Sequence, residues 1–207
     1  MLKLKKQPYN SVWISADSQK ELGETFIRFQ EYYESPNLDF KSRVFTLGSV
    51  KEYYSKEYGA DIYSETWIGF NFPSAVLSPF KQGLFDPLTD QEKILLDLLK
   101  YRNDDYYIIG AQNKSTLRHE LSHAMYGFSK KYKEEIDHFI YENRLKFKKV
   151  KKYIIDKGYC EQVLNDEIQA YVTDNDDAFI LNNLDPELIS GINKIYIRNK
   201  KKHEIIS

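Results

Sequence analysis

The sequence predicts an α+β fold: a first half with a small mixed sheet and helices, then an all-helical second half. Three observations predict it. Short β-branched and aromatic runs bounded by turn residues recur only in the first half. After Gly127 the apolar residues follow helical spacing to the end. The 207 residues, 42% of them hydrophobic, suffice for one domain with a sizeable core.

Taken in order, Val12-Trp13-Ile14 reads as the first strand. Asp17 or Ser18 caps a helix to about Tyr33, with Leu22, Phe26, Phe29 and Tyr33 on one side. Arg43 to Leu47 reads as a second strand. Ser49 caps a short helix through Tyr58, with Gly59 as its C-terminal stop. Thr66 to Phe72 is the third strand, and Pro73 to Pro87, with three prolines, is loop. The aromatics between Trp67 and Phe85 are assigned to the core rather than to a cleft wall. Thr89 and Glu92 form a capping box for a helix with Ile94, Leu95, Leu98 and Leu99 facing inward. Tyr106 to Gly110 is the fourth strand, and Asn113 or Ser115 starts the next helix. Lys130 to about Lys157 makes two helices with a break near Asn143, closed by Gly158. Further helices run from Glu161 to about Asp174 and from Pro186 to about Arg198.

The formal charge of −1 removes the global attraction that nucleic acid or an anionic membrane would exploit, so neither is expected as a partner. One cysteine, Cys160, permits no intrachain disulfide and reads as a buried structural thiol. No apolar run follows the basic N-terminus and none approaches a membrane span. A cytoplasmic location is therefore expected. Oligomeric state has no signature here.

Two of the four histidines, His119 and His123, stand four residues apart with Glu120 after the first. On a helix they lie one above the other, so two imidazoles can grip one metal ion. At 100° per residue, Leu117, Leu121, Ala124, Met125 and Phe128 share an arc that should pack on the sheet. His119, Glu120 and His123 fall opposite, and Gly127 ends the helix just past them. The bland alternative is a polar helix surface with incidental histidines. A catalytic zinc needs a third protein ligand. On the helix from Val163, Glu167 falls inside the arc of Val163, Leu164, Ile168, Tyr171 and Val172, while Asp166 and Gln169 fall outside. A carboxylate on a buried side needs a metal or a partner, either zinc or an arginine. His138 is the rival third ligand, though its helix position reads as exposed, as does His203 in the basic tail.

The pattern resembles the zincin metallopeptidases of the gluzincin type, with H-E-x-x-H on one helix and a glutamate ligand on a later one. His119, Glu120 and His123 match the first motif. Asn165-Asp166-Glu167-Ile168-Gln169-Ala170-Tyr171 is similar to the glutamate helix, with Glu167 in the ligand position. The likeness covers about the second half of the chain. It implies a single zincin-like domain over 1–207, an α+β half (about 1–127) with the H-E-x-x-H helix and a helical half (about 128–207) with the glutamate. It further implies a sheet packed on the active helix, with Tyr106 to Gly110 as the edge strand that takes an extended peptide. One Zn²⁺ per chain would be held by His119, His123 and Glu167, with Glu120 as general base in the hydrolysis of a peptide or protein substrate. Tyr171, Tyr126 and Tyr159 are all available as donors to the oxyanion.

The chain departs from the pattern at one position. Four residues after the ligand, many gluzincins have an aspartate that holds a zinc histidine; here stands Tyr171, and Asp174 one turn later is the candidate substitute. Neither the deformylase pattern, which needs an upstream cysteine, nor the endoribonuclease pattern, which needs a histidine at Ser129, is met. The alternative function is a catalytically inactive zincin-like protein that binds a peptide or a partner.

Overall fold

The computed structural model describes all residues except 8, 9, 60–62, 64–66, 103, 158, 160, 176 and 205–207, and gives only the backbone of 58 and 201–204. Among the described residues it is a mixed α+β chain with one four-stranded sheet and a helical majority. Two compact units compose it, Met1–Leu117 and Arg118–Ser207.

In the first unit, β1 (Lys3–Gln7) and β2 (Ser11–Ser15) pair antiparallel. Helix α1 (Gln19–Glu34) starts at Ser18, whose side chain accepts from the Glu21 N–H. Helix α2 (Leu47–Tyr58) starts at Thr46, not at Ser49. Arg43 to Leu47, expected as a strand, is instead the approach to this helix: the Thr46 hydroxyl accepts from the Ser49 N–H and commits the chain to a helical turn. Gly59 closes α2 in the left-handed region, at φ 78°. Next come β3 (Gly69–Pro73), a 3₁₀ turn (Ser74–Leu77) and the short α3 (Ser78–Lys81), where a loop was expected. Helix α4 (Asp90–Leu98) has the capping box of Thr89 and Glu92. Leu95 and Leu99 are buried, but Ile94 and Leu98 are exposed, so the apolar stripe is narrower than expected.

Strand β4 (Tyr107–Ala111) completes the sheet in the order β1-β2-β4-β3, parallel to β2 and antiparallel to β3. This overturns the edge-strand expectation for Tyr106 to Gly110. Every residue of β4 is buried and both its sides are paired, so it offers no free ladder to a peptide. The edges are β1 and β3. β1 escaped the sequence reading because its Lys-Leu-Lys-Lys-Gln composition is that of a charged, protected edge.

Helix α1 lies against the sheet through Phe26 and Phe29, which stack on Phe70 and Phe72 of β3. A Cβ at Gly110 would come within 2.9 Å of the Phe26 ring, so glycine in β4 permits this close approach. Phe80 and Phe85 stack at 3.9 Å, and with Phe70 and Phe72 they are buried, which places these four aromatics in the core, whereas Trp67, expected there too, is exposed. Arg28 of α1 reaches Glu92 of α4, with both side chains buried.

The second unit contains residues 118–128 of α5 (Lys114–Phe128), then α6 (Lys130–Glu142) and α7 (Lys148–Asp156). Asn143 caps α6, which bears out the expected break. Helix α8 (Leu164–Asp174) follows a 3₁₀ turn (Glu161–Val163). Then come α9 (Ala178–Asn182), whose Asp177 cap was not read from the sequence, and α10 (Pro186–Glu204). α8 is central: α6, α7, α9 and α10 all pack on it. α10 also crosses α6 closely; a Cβ at Gly191 would lie 2.3 Å from the Phe139 ring. Gly158 and Cys160 lie outside the described residues, as does the His203 side chain. None of the described helices is long and apolar enough to cross a membrane.

Candidate metal centre

Helix α5 is unbroken through the H-E-x-x-H stretch, so His119 and His123 stack one turn apart. Their Nε2 atoms are 3.1 Å apart. Gly127 does not stop the helix, which continues through Phe128; Ser129 then caps α6 by accepting from the Tyr132 N–H. The two-arc reading of α5 holds only in part. Leu117, Ala124 and Met125 are buried, but Phe128 is exposed, and on the opposite side Glu120 and His123 are buried too. The histidine side is covered in part: Ser122 of α5 hydrogen-bonds Thr173 of α8 at 2.8 Å, while the His119 side chain keeps 16% of its surface exposed.

α8 brings Glu167 to the histidines. Its Oε1 is 3.9 Å from His123 Nε2, and one ligand atom from each of His119, His123 and Glu167 lies within 4.8 Å of the other two. Tetrahedral zinc with bonds of about 2.0–2.2 Å separates its ligands by about 3.3–3.6 Å. The two observed separations, 3.1 and 3.9 Å, bracket that spacing. Glu167 is 7% exposed, and its Oε2 is buried with no hydrogen-bond partner among the described residues. A carboxylate oxygen stripped of water and given no donor suits a cation. The charged groups that act on it are His123 at 3.9 Å, Asp166, Glu120 and Lys157, and no arginine is among them. The donor set of two imidazoles and one carboxylate is that of a three-ligand zinc site.

The metal-free electrostatics point the same way. Burial, with His123 and Lys157 adding to it, pushes His119 down to about 3. Burial opposes charge on His123, but Asp166, Glu167 and Glu120 outweigh it and hold that imidazole well above its ordinary value. Burial pushes Glu167 up to about 8 against the pull of His123. Burial thus keeps His119 neutral at neutral pH, and its Nε2 faces that of His123 across 3.1 Å.

Behind the ligands lies a polar shell. His123 Nδ1–H donates to Asp166 Oδ1 at 2.8 Å. Gln169 Nε2 donates to the same oxygen at 2.9 Å, and the Tyr132 hydroxyl donates to Gln169 Oε1 at 2.6 Å. Gln169 is fully buried, not on the outer side of α8 as the arc placed it, because α8 is packed on several faces. Asp174, the candidate substitute for the missing aspartate, lies 3.9 Å from His119 Nδ1, beyond hydrogen-bond reach. Tyr171 stands edge-on to the His119 ring at 4.9 Å, and its hydroxyl is 3.4 Å from that of Tyr159. Burial, with Glu167 and Tyr171 beside it, pushes the Tyr159 hydroxyl far up. Burial also raises Tyr171, while Tyr159 and Lys157 act against it. Tyr126 is turned elsewhere: it donates to Asp137 and accepts from Lys133.

His119, His123 and Glu167 therefore converge, with Glu120 buried next to the first of them in sequence, whereas His138 is exposed on α6. Sequence reasoning missed Asp166, Gln169 and Lys157. One signal was available for the first two: Asp166 and Gln169 have the i, i+3 spacing of a helical polar pair. No family model matches the chain, and no curated protein or solved structure matches it.

Proposed function

We propose that the chain is a zincin-like, zinc-dependent peptidase of the gluzincin type. His119, His123 and Glu167 would hold one zinc ion. The observation that carries this reading is the meeting of those three ligand atoms within 4.8 Å, with one Glu167 oxygen buried and, among the described residues, unpartnered. When bound, zinc supplies Lewis acidity, lowering the pKa of a water toward neutrality and polarising a carbonyl. Glu120, buried one residue after the first ligand and close enough to be felt by both His123 and Glu167, accepts the proton of the attacking water and passes it to the leaving amine. Tyr159 and Tyr171 keep their protons, and either hydroxyl can donate to the developing oxyanion. Tyr126 is removed from this role by its bonds to Asp137 and Lys133.

The test is hydrolysis of a fluorogenic peptide library by zinc-loaded protein, with and without chelator, beside Glu120→Gln. Cleavage by the wild type, lost on chelation and in Glu120→Gln while that variant keeps its zinc, is the expected result. A Glu120→Gln protein that cleaves as fast as wild type removes the assigned base. Zinc binding without any cleavage leaves a peptide- or partner-binding zincin-like protein.

A further inference from the structure

We propose that Asp166 positions His123 in the metal centre, taking from the residue before the glutamate ligand the place that the family pattern gives to an aspartate four residues after it. The inference rests on the metal reading above. It starts from helix geometry. Asp166 and Glu167 are consecutive on α8 and so point about 100° apart. Their carboxylates reach opposite nitrogens of one ring: Asp166 Oδ1 lies 2.8 Å from Nδ1 of His123, and Glu167 Oε1 lies 3.9 Å from its Nε2. One residue grips the ring from behind while its neighbour faces the metal position.

Asp166 is itself held. Gln169 donates to it, and the fully buried Tyr132 fixes the Gln169 carbonyl from the other side. With both ends of its amide engaged, Gln169 has one orientation, and it sets that of Asp166. A proton kept on Nδ1 by a fixed carboxylate leaves the Nε2 lone pair for the metal. His119 has no comparable hold from Asp174, which stays 3.9 Å from its Nδ1. Tyr171 therefore need not be an aspartate in this chain. Asp166 touches no substrate and acts only through His123.

The test measures zinc affinity of the full chain by competition with a chromophoric chelator, for wild type, Asp166→Ala and Asp166→Asn. Unfolding temperatures of the metal-free proteins accompany it. The expected loss is about 10–100-fold for Asp166→Ala. Asp166→Asn keeps an acceptor oxygen but loses the charge, so its loss should be smaller, about 3–10-fold. The visible spectrum of the cobalt-loaded chain should change in Asp166→Ala, since a released imidazole alters ligand geometry, whereas a purely structural defect would lower only the unfolding temperature. Wild-type affinity and an unchanged cobalt spectrum in a folded Asp166→Ala overturn the inference and leave the metal site standing. Should the alanine variant fail to fold, Asp166→Asn decides alone, and wild-type affinity in it overturns the proposal. A wild type that binds neither metal overturns the metal reading itself, and the inference with it.

Discussion

Zinc binding should be tied to proton release, and its affinity should climb through a pH range in which ordinary histidine sites are already nearly flat. The perturbation is pH itself. In the metal-free chain burial holds Glu167 at about 8, and flanking carboxylates hold His123 above its ordinary range. Both must lose protons to become ligands. With a value of about 8, roughly 9% of chains have a free Glu167 carboxylate at pH 7 and roughly 75% at pH 8.5, so affinity should rise about eightfold from this group alone. His123 adds to the rise in the same direction. Two unperturbed histidines near pKa 6.5 would together give a rise of only about 1.7-fold over this range. Isothermal titration in buffers of different ionisation enthalpy gives both the affinity and the number of protons released. An affinity that moves less than about twofold between pH 7 and 8.5 would refute the burial argument for Glu167.

The same group sets a stability trend. Its folded-state pKa is raised, so its contribution is full below the ordinary carboxylate range and fades as pH rises toward about 8. Zinc reverses that loss, and the rise in unfolding temperature on adding zinc should be larger at pH 8 than at pH 6; an equal rise at both would contradict it. Glu92→Ala should cost about 3–5 kcal/mol in urea unfolding, because Arg28 would be left buried without its carboxylate; a cost under about 1 kcal/mol would show that water reaches the pair. Gly191→Ala should lower the unfolding temperature, by an overpacking cost of about 1–3 kcal/mol, since its Cβ would meet the Phe139 ring at 2.3 Å. Gly48→Ala in α2 meets only Thr46 Oγ1 at 3.7 Å and should instead stabilise by about 0.4–1 kcal/mol. Like effects from the two glycine changes would contradict the packing account.

What the sequence disclosed depended on whether the signal was local. The i, i+4 histidines and the capping box at Thr89 are local patterns, and both stand where expected. Glu167 was legible because a carboxylate inside an apolar arc is a local contradiction, and it is buried facing His123. Asp166 and Gln169 were not legible by the same reasoning. An arc assumes one packed face, but α8 is surrounded by four helices. Gln169 is satisfied by Tyr132 from another helix, a pairing that no spacing encodes. Strand order was lost for a similar reason. The uninterrupted apolar run of β4 fits a doubly paired strand, whereas its place just before the histidine helix suggested an edge. Thr46 shows the smallest failure: one hydroxyl accepting one N–H turned an expected strand into a helix start.

The central claim is that His119, His123 and Glu167 hold one zinc ion. Elemental analysis of the chain purified with zinc present tests it most directly, beside His123→Ala and Glu167→Ala. The account predicts about one zinc per wild-type chain and little in either folded variant. Less than about half an equivalent in the wild type, or full retention in both variants, would contradict it.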